Sequence, residues 1–326
     1  MTLRKPDADQ IEAHLAALRT ASWLGPARQW WPQFIFHFTD LQNVVSILTQ
    51  GKLLARSRGE IATDIASADV LAKTDDVWKD YVRLYFRPKT NMQWSIEGIR
   101  PRGHLTSLNA HCPVPVFLLF DATELLTRTT TLFSEGNLAA NPSTGNDAAF
   151  LVSIPFEKVY HNSWLSDGEK ANIKFHRHAE VLVPGELDLA SLKYIICRSE
   201  AETETLRNRL PTQIRTQFDG LICEARQANL FERNWTFVET ASLEQQRVVL
   251  NFNPTTKSSG GPFAAFLEIQ NLTTGEKYQW KDSAYQANRN CSISIPQLVE
   301  PTPYEAVFTL DDAIAYAGRF NPNPML

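Results

Sequence analysis

Four cysteines are scattered over 326 residues, at Cys112, Cys197, Cys223 and Cys291, and none stands two residues from another. That spacing excludes the paired-cysteine zinc and dithiol motifs and predicts reduced, mostly buried thiols. Long apolar runs are missing too: a membrane helix needs roughly 18 to 20 such residues, and Val114–Phe120 has only the length of a strand. The first residues, Met1 to Asp7, lead into no apolar secretory core and no small-residue cleavage site, so the expected location is the cytoplasm. Neither charge dominates. With 32 basic and 36 acidic residues the net charge is −4, which excludes a chain held to nucleic acid by bulk charge and confines any such contact to a local patch.

What is present suits a globular chain. Apolar residues make up 43% and charged residues 21%, with eight Trp and 18 Phe to fill a core. The length predicts two domains. Asp9 and Glu12 have capping-box spacing, and Ile11, Leu15 and Leu18 follow at helical spacing, predicting a helix over roughly residues 9 to 21. After Trp30-Trp31-Pro32 comes a short apolar strand, Phe34 to Thr39, then Asp40, a helix from Leu41, and Gly51 to close it. Glu60–Leu71 reads as helical, Tyr81–Phe86 as a strand stopped by Pro88.

Further strands are expected at Val114–Phe120, Ala149–Ile154, Ala179–Val183, Tyr194–Cys197 and Gly220–Cys223, with a helix at Glu200–Arg209 and a surface loop at Thr129–Asn146. From about residue 245 only short alternating runs remain: Arg247–Phe252, Phe263–Gln270, Glu276–Lys281, Cys291–Ile295 and Tyr304–Leu310. Thr273-Thr274-Gly275 reads as a hairpin turn. The expected architecture is α+β, followed by a small all-β, immunoglobulin-like sandwich. Its divisions are residues 1–33, an N-terminal helical extension, 34–242, the main domain, and 243–326, the sandwich.

Three stretches carry chemistry. His37 and Thr39 share one face of a strand end, about 7 Å apart by strand geometry, close enough to grip one sugar. Alone, they read more simply as a polar strand end with a helix cap at Thr39 or Asp40. From Arg83 to Arg102, the cations Arg83, Arg87, Lys89, Arg100 and Arg102 face a single acid, Glu97, and interleave with Tyr85, Phe86 and Trp94. That mixture suits single-stranded nucleic acid, whose phosphates pair with cations while its bases stack on rings, and equally describes a core strand with ordinary basic loops. Glu180 stands at the mouth of the apolar strand Ala179–Val183, beside the core, where a carboxylate needs a partner. His176 and His178 lack a third ligand at zinc spacing, with His161 the only nearby candidate, so no metal is expected and both are read as surface residues.

Together these stretches resemble a known family. Phe36-His37-Phe38-Thr39-Asp40-Leu41-Gln42-Asn43, Ile47-Leu48, Gly51-Lys52-Leu53-Leu54, Asp80-Tyr81-Val82, Tyr85-Phe86-Arg87-Pro88-Lys89, Met92 and Ala179-Glu180-Val181-Leu182-Val183 occur in the order found in DarT, the DNA ADP-ribosyltransferase toxins. The resemblance runs from about Phe34 to Val238 and does not reach the first 30 residues or residues 245 to 326. It implies transfer of ADP-ribose from NAD⁺, a co-substrate, to a base through an oxocarbenium-like state. It also implies catalytic roles for Glu180 and His37, and NAD⁺ contacts from His37, Thr39, Asn43, Leu53 and Tyr85. The mixture of cations and rings in the segment from Arg83 to Arg102 puts Arg83, Arg87, Lys89, Met92 and Trp94 at the nucleic acid, single-stranded DNA or RNA, with DNA favoured.

The acceptor side departs from the family. No basic residue lies between Arg58 and Lys73, where thymidine-modifying relatives carry an Arg, and Arg83 stands where they have Pro. A guanine or adenine amino group is therefore an open acceptor. The expected role is a bacterial toxin or phage-defence effector. From Glu244 onward six basic residues face eight acidic ones, so the C-terminal unit is read as a partner-binding module, for an antitoxin or a phage trigger protein. The alternative reading is a catalytically idle nucleotide or nucleic-acid binding module whose β-domain recruits a partner.

Overall fold

A computed structural model describes residues 3–59, 62–65, 72–102, 110–225, 229–254, 261–287 and 290–322. The centre is an eight-stranded sheet. Its strands are β1 (Phe34–Asp40), β3 (Tyr81–Tyr85), β4 (Pro115–Asp121), β5 (Leu132–Ser134), β6 (Thr144–Gly145), β7 (Glu180–Pro184), β9 (Leu192–Cys197) and β10 (Ile222–Glu224), in the order β10-β9-β4-β1-β3-β7-β5-β6. Among the described residues of this sheet only β9 and β10 pair in parallel. Two short strands, β2 (Lys52–Leu54) and β8 (Glu186–Asp188), form a separate ribbon. In β4 every residue but the last is buried, the pattern of an inner strand covered on both faces.

The local unit that positions the site is β1 followed directly by helix α2 (Leu41–Gln50). Asp40 caps α2, its carboxylate accepting from the Gln42 N–H at 3.0 Å. Gly51 ends the helix at φ 72°, the left-handed geometry that a residue without a Cβ adopts freely.

The N-terminal helix α1 (Ala8–Thr20) forms, but not through a capping box: both Asp9 and Glu12 bond Arg4. Its Ile11, Leu15 and Leu18 join the same hydrophobic core as Ile35, Val116 and Phe120, so this helix packs as part of the main domain. Ala149–Ile154 is not a strand; Ala148–Ser153 is a helix capped by Asp147. The expected loop Thr129–Asn146 contains β5 and β6, and β5 pairs with β7. Glu60–Leu71 falls mostly outside the described residues, and its described part, 62–65, is not helical.

The C-terminal unit consists of two sheets: β11 (Val238–Glu244), β12 (Arg247–Phe252) and β15 (Cys291–Ser294) in the order β11-β12-β15, and β13 (Phe263–Asn271), β14 (Lys277–Tyr285), β16 (Tyr304–Leu310) and β17 (Ala313–Phe320) in the order β14-β13-β16-β17. Val248, Leu250, Leu267, Ile269 and Phe308 fill its core. The first strand opens at Val238, a few residues ahead of the expected 243, and β17 was not apparent in the sequence. The two units are tightly joined. On β17, the Tyr316 hydroxyl donates to Glu204 at 2.8 Å and the Ala317 N–H donates to Thr205 at 3.0 Å, both on helix Glu200–Arg209. Gly98 lies at this seam at φ 91°, where a Cβ would come within 2.7 Å of Trp235.

The four thiols are free, Cys112 and Cys197 buried. Among the described residues no helix is long and apolar enough to cross a membrane.

Candidate functional site

β1, α2, β2 and β3 converge on a cavity of about 240 Å³. His37 and Thr39 line it from β1, Asn43 from α2, Leu53 from β2, Arg83 and Tyr85 from β3, and Met92 from the helix Asn91–Ile96. All five residues expected at NAD⁺ are thus brought together.

The His37 ring is half-buried in the cavity wall, and desolvation there pushes its pKa down to about 4 against the opposing hydrogen bond to the Arg83 carbonyl. That bond, Nδ1 to Arg83 O at 3.3 Å, requires the proton on Nδ1 and leaves Nε2 as an acceptor. At neutral pH the site therefore holds an uncharged imidazole. Asn43 has a bracing role. Its amide donates to the Thr39 hydroxyl at 3.0 Å and the Thr63 carbonyl at 2.8 Å, and its carbonyl accepts from the Thr63 N–H at 2.9 Å. It ties segment 62–65 to α2 and fixes the Thr39 hydroxyl. Asn43→Ala removes three hydrogen bonds at a buried position and should cost about 1–3 kcal/mol of stability. KM for NAD⁺ should rise far more than kcat changes; thermal melts and steady-state kinetics check both.

Glu180 opens β7 opposite Tyr85 on β3. Its backbone N–H donates to Ser134 Oγ at 3.0 Å, and the residue is only 1% exposed. Its carboxylate does not line the cavity. It is gripped by Arg83, Nε to Oε2 and Nη2 to Oε1, each at 2.6 Å. Burial works against the Arg83 charge, yet the carboxylate it touches more than compensates and holds the guanidinium above its ordinary range. Burial, then the Glu180 charge, pushes the Tyr85 phenol well up, so it stays a neutral donor. His37, Arg83 and Glu180 form a continuous chain, imidazole to backbone carbonyl and guanidinium to carboxylate, that links the buried acid to the hollow.

The expected nucleic-acid set divides. Arg83 lies in the cavity wall and is paired with Glu180 in this structure. Arg87 is 1% exposed, its guanidinium spent on the Pro88, Val159 and His161 carbonyls and on Asn162, with Trp31 beneath it. Burial, then Arg177 and Arg28 nearby, push it down to about 9. It is a core strut rather than a phosphate ligand. Met92 belongs to the cavity itself. Lys89, at φ 60°, reaches Asn229 at 2.7 Å, and Trp94 is 52% exposed. His176 is not a surface residue: it is buried against the Glu135 carbonyl, whereas His178 is half-buried, with burial lowering its pKa.

Two features escaped the sequence reading. Ser134 anchors the Glu180 backbone from a segment that reads as loop. Arg56 and Asp64 line the cavity and pair with each other at 2.6 Å. Among the described residues no group of three or more His, Cys, Asp or Glu side chains could hold a metal ion.

No curated protein matches the chain in sequence. Among solved structures, Thermus sp. 2.9 DarT in complex with ADP-ribosylated single-stranded DNA is 20% identical, with 61% of this chain and 96% of that one covered at a TM-score of 0.49. The same protein in complex with NAD⁺ is 19% identical over 59% and 93% at 0.46. Thermosipho africanus DarTG in complex with ADP-ribose is 14% identical over 65% and 53% at 0.44. The family model described as DarT, single-stranded DNA thymidine ADP-ribosyltransferase, matches residues 36–221, more than half of the sequence, and the chain belongs to that family.

Proposed function

We propose that this protein transfers ADP-ribose from NAD⁺ to a base in single-stranded DNA, with Glu180 as the catalytic carboxylate. The observation that carries the reading is the meeting of His37, Thr39 and Tyr85 in one cavity, with Glu180 joined to it through Arg83. Breaking the nicotinamide glycosidic bond places positive charge on the ribose, and a fixed carboxylate beside it lowers that barrier. His37, kept neutral by burial, adds no opposing charge and offers Nε2 to a ribose hydroxyl or the carboxamide. Thr39 serves as a second polar contact, while Leu53 and Met92 give the cavity apolar walls.

Lys89 and Trp94 remain the acceptor-side residues of this reading, a cation and a half-exposed ring five positions apart, with RNA a second acceptor polymer. The acceptor base is thymine by family and open by residue, because the acceptor-side Arg of thymidine-modifying relatives has no counterpart between Arg58 and Lys73. In the cell we assign the protein to bacterial toxin or phage-defence chemistry in the cytoplasm, with residues 243–326 receiving an antitoxin or a phage trigger.

A second reading rests on one observation: both Glu180 oxygens are occupied by Arg83, as an idle nucleotide-binding module would leave them. Incubation with labelled NAD⁺ and mixed DNA and RNA oligonucleotides separates the two. Transfer predicts nicotinamide release, label in the oligonucleotide, and a single modified nucleoside on digestion and mass spectrometry. An idle module binds NAD⁺ and releases no nicotinamide. Label found only in polypeptide would defeat the nucleic-acid assignment.

A further inference from the structure

Three cationic side chains line the described part of the cavity, Lys52, Arg56 and Arg83, and each is already paired with a carboxylate. Lys52 meets Glu186 at 2.8 Å, Arg56 meets Asp64 at 2.6 Å, and Arg83 holds Glu180 through two bonds. The resting site is thus self-neutralised, whereas NAD⁺ brings a diphosphate that needs countercharge. The three pairs are not equivalent. Lys52–Glu186 and Arg56–Asp64 are partly open at both ends, 30% or more of each side chain exposed, and exchange with water at little cost. Arg83–Glu180 is buried at the acid, 1% exposed, and open at the base, 24% exposed, so only the guanidinium has somewhere to go.

Resting on the NAD⁺ reading above, we infer that Arg83 is a positioning residue that changes partner during the reaction, from Glu180 in the free enzyme to the NAD⁺ diphosphate in the complex. A carboxylate whose two oxygens accept a guanidinium fork has its charge cancelled and its best acceptor directions filled. It cannot then take a ribose hydroxyl or stabilise a developing cation at full strength. Opening the fork frees one or both oxygens at the moment substrate arrives and gives the guanidinium a bidentate anion in exchange. The acid is held in place while the site is empty and becomes active only when the site is filled. The other groups around Glu180 are Tyr85 beside it on β3, His178 two residues before it, and Ser134 holding its backbone, and none replaces the guanidinium as a cation.

Titration calorimetry with ADP-ribose, which carries the diphosphate, and with adenosine, which does not, tests the exchange on the full chain. Glu180→Gln releases Arg83 in advance, so ADP-ribose should bind tenfold or more tighter than to the wild type, with adenosine unchanged. Arg83→Met in the Glu180→Gln background should erase that gain, which simple removal of a negative charge would not. Arg83→Lys should keep folding and part of the affinity, and should raise KM for NAD⁺ more than it lowers kcat. If the wild type releases nicotinamide while Glu180→Gln binds ADP-ribose no tighter, or if the double variant keeps the gain, the exchange is wrong and the enzyme reading stands. Absence of ADP-ribose binding by every variant overturns the exchange, and absence of nicotinamide release by the wild type overturns the enzyme reading separately.

Discussion

Glu180→Gln is expected to lower ADP-ribosyl transfer by about 10²- to 10³-fold, the range found when one pre-organised charge or dipole is removed from a transition state. The substitution keeps the shape of the side chain, replaces the charged fork to Arg83 with a weaker contact to one neutral oxygen, and removes the negative charge that the proposed mechanism uses. Stability will not be untouched. A fully buried ion pair that loses one partner costs about 3–5 kcal/mol, but Arg83 is a quarter exposed and can turn toward water, so a loss of about 1–2 kcal/mol is expected. Label incorporation from NAD⁺ and a thermal melt measure the two effects independently. Transfer within threefold of wild type would remove Glu180 from the chemistry.

The second large effect lies away from the cavity. Arg198, 0% exposed, joins two buried acids: it donates to Glu202 through Nε at 3.2 Å and again through Nη2, and approaches Glu97 at 3.5 Å. It also lies 4.0 Å over the Phe237 ring, the residue before β11. Glu97 in turn accepts from Gln93 and from the backbone N–H groups of Glu232 and Arg233, each at 2.9 Å. Even with Arg198 in place, burial pushes the Glu202 carboxyl up to about 7. Arg198→Met leaves two acids buried together without a cation and should destabilise by about 3–5 kcal/mol, a fall in melting temperature on the order of 10 °C. Adding Glu97→Gln and Glu202→Gln should restore most of it, since neutral amides need no counterion. A melting point for Arg198→Met within about 2 °C of wild type would contradict this account of the seam.

How much of this was legible in sequence depended on how far the deciding partner lies along the chain. The β1–α2 unit was readable because strand alternation, the Asp40 cap and the Gly51 stop are local, and they place His37, Thr39 and Asn43 around one hollow. Helix Glu200–Arg209 announced itself in the same way, with Ser199 accepting from the Glu202 N–H. The partner of Arg83 did not, because Glu180 is 97 positions away and a basic residue in an alternating strand looks the same whether it meets a phosphate or a carboxylate. Arg87 misled for the same reason. Only tertiary packing supplies the carbonyls of 159 and 161 that absorb it.

Short apolar runs were the other weakness. Ala148–Ser153 has no period that separates strand from helix, and the evidence for a helix was Asp147, whose side chain accepts from the Phe150 N–H at 2.8 Å. β17 was missed because its turn uses Asp311 and Asp312 at φ 47° and 70°, positions where a glycine would have been the usual signal.

The seating of β17 on helix Glu200–Arg209 bears on how this protein can be shortened. A cut ahead of Phe237 would strip cover from Ala201, Thr205 and the Glu204 carboxylate and leave Arg198 without the ring beneath it. The last 90 or so residues are a buttress for the rest of the protein, and a minimal enzyme would need a redesigned outer face before it stayed in solution.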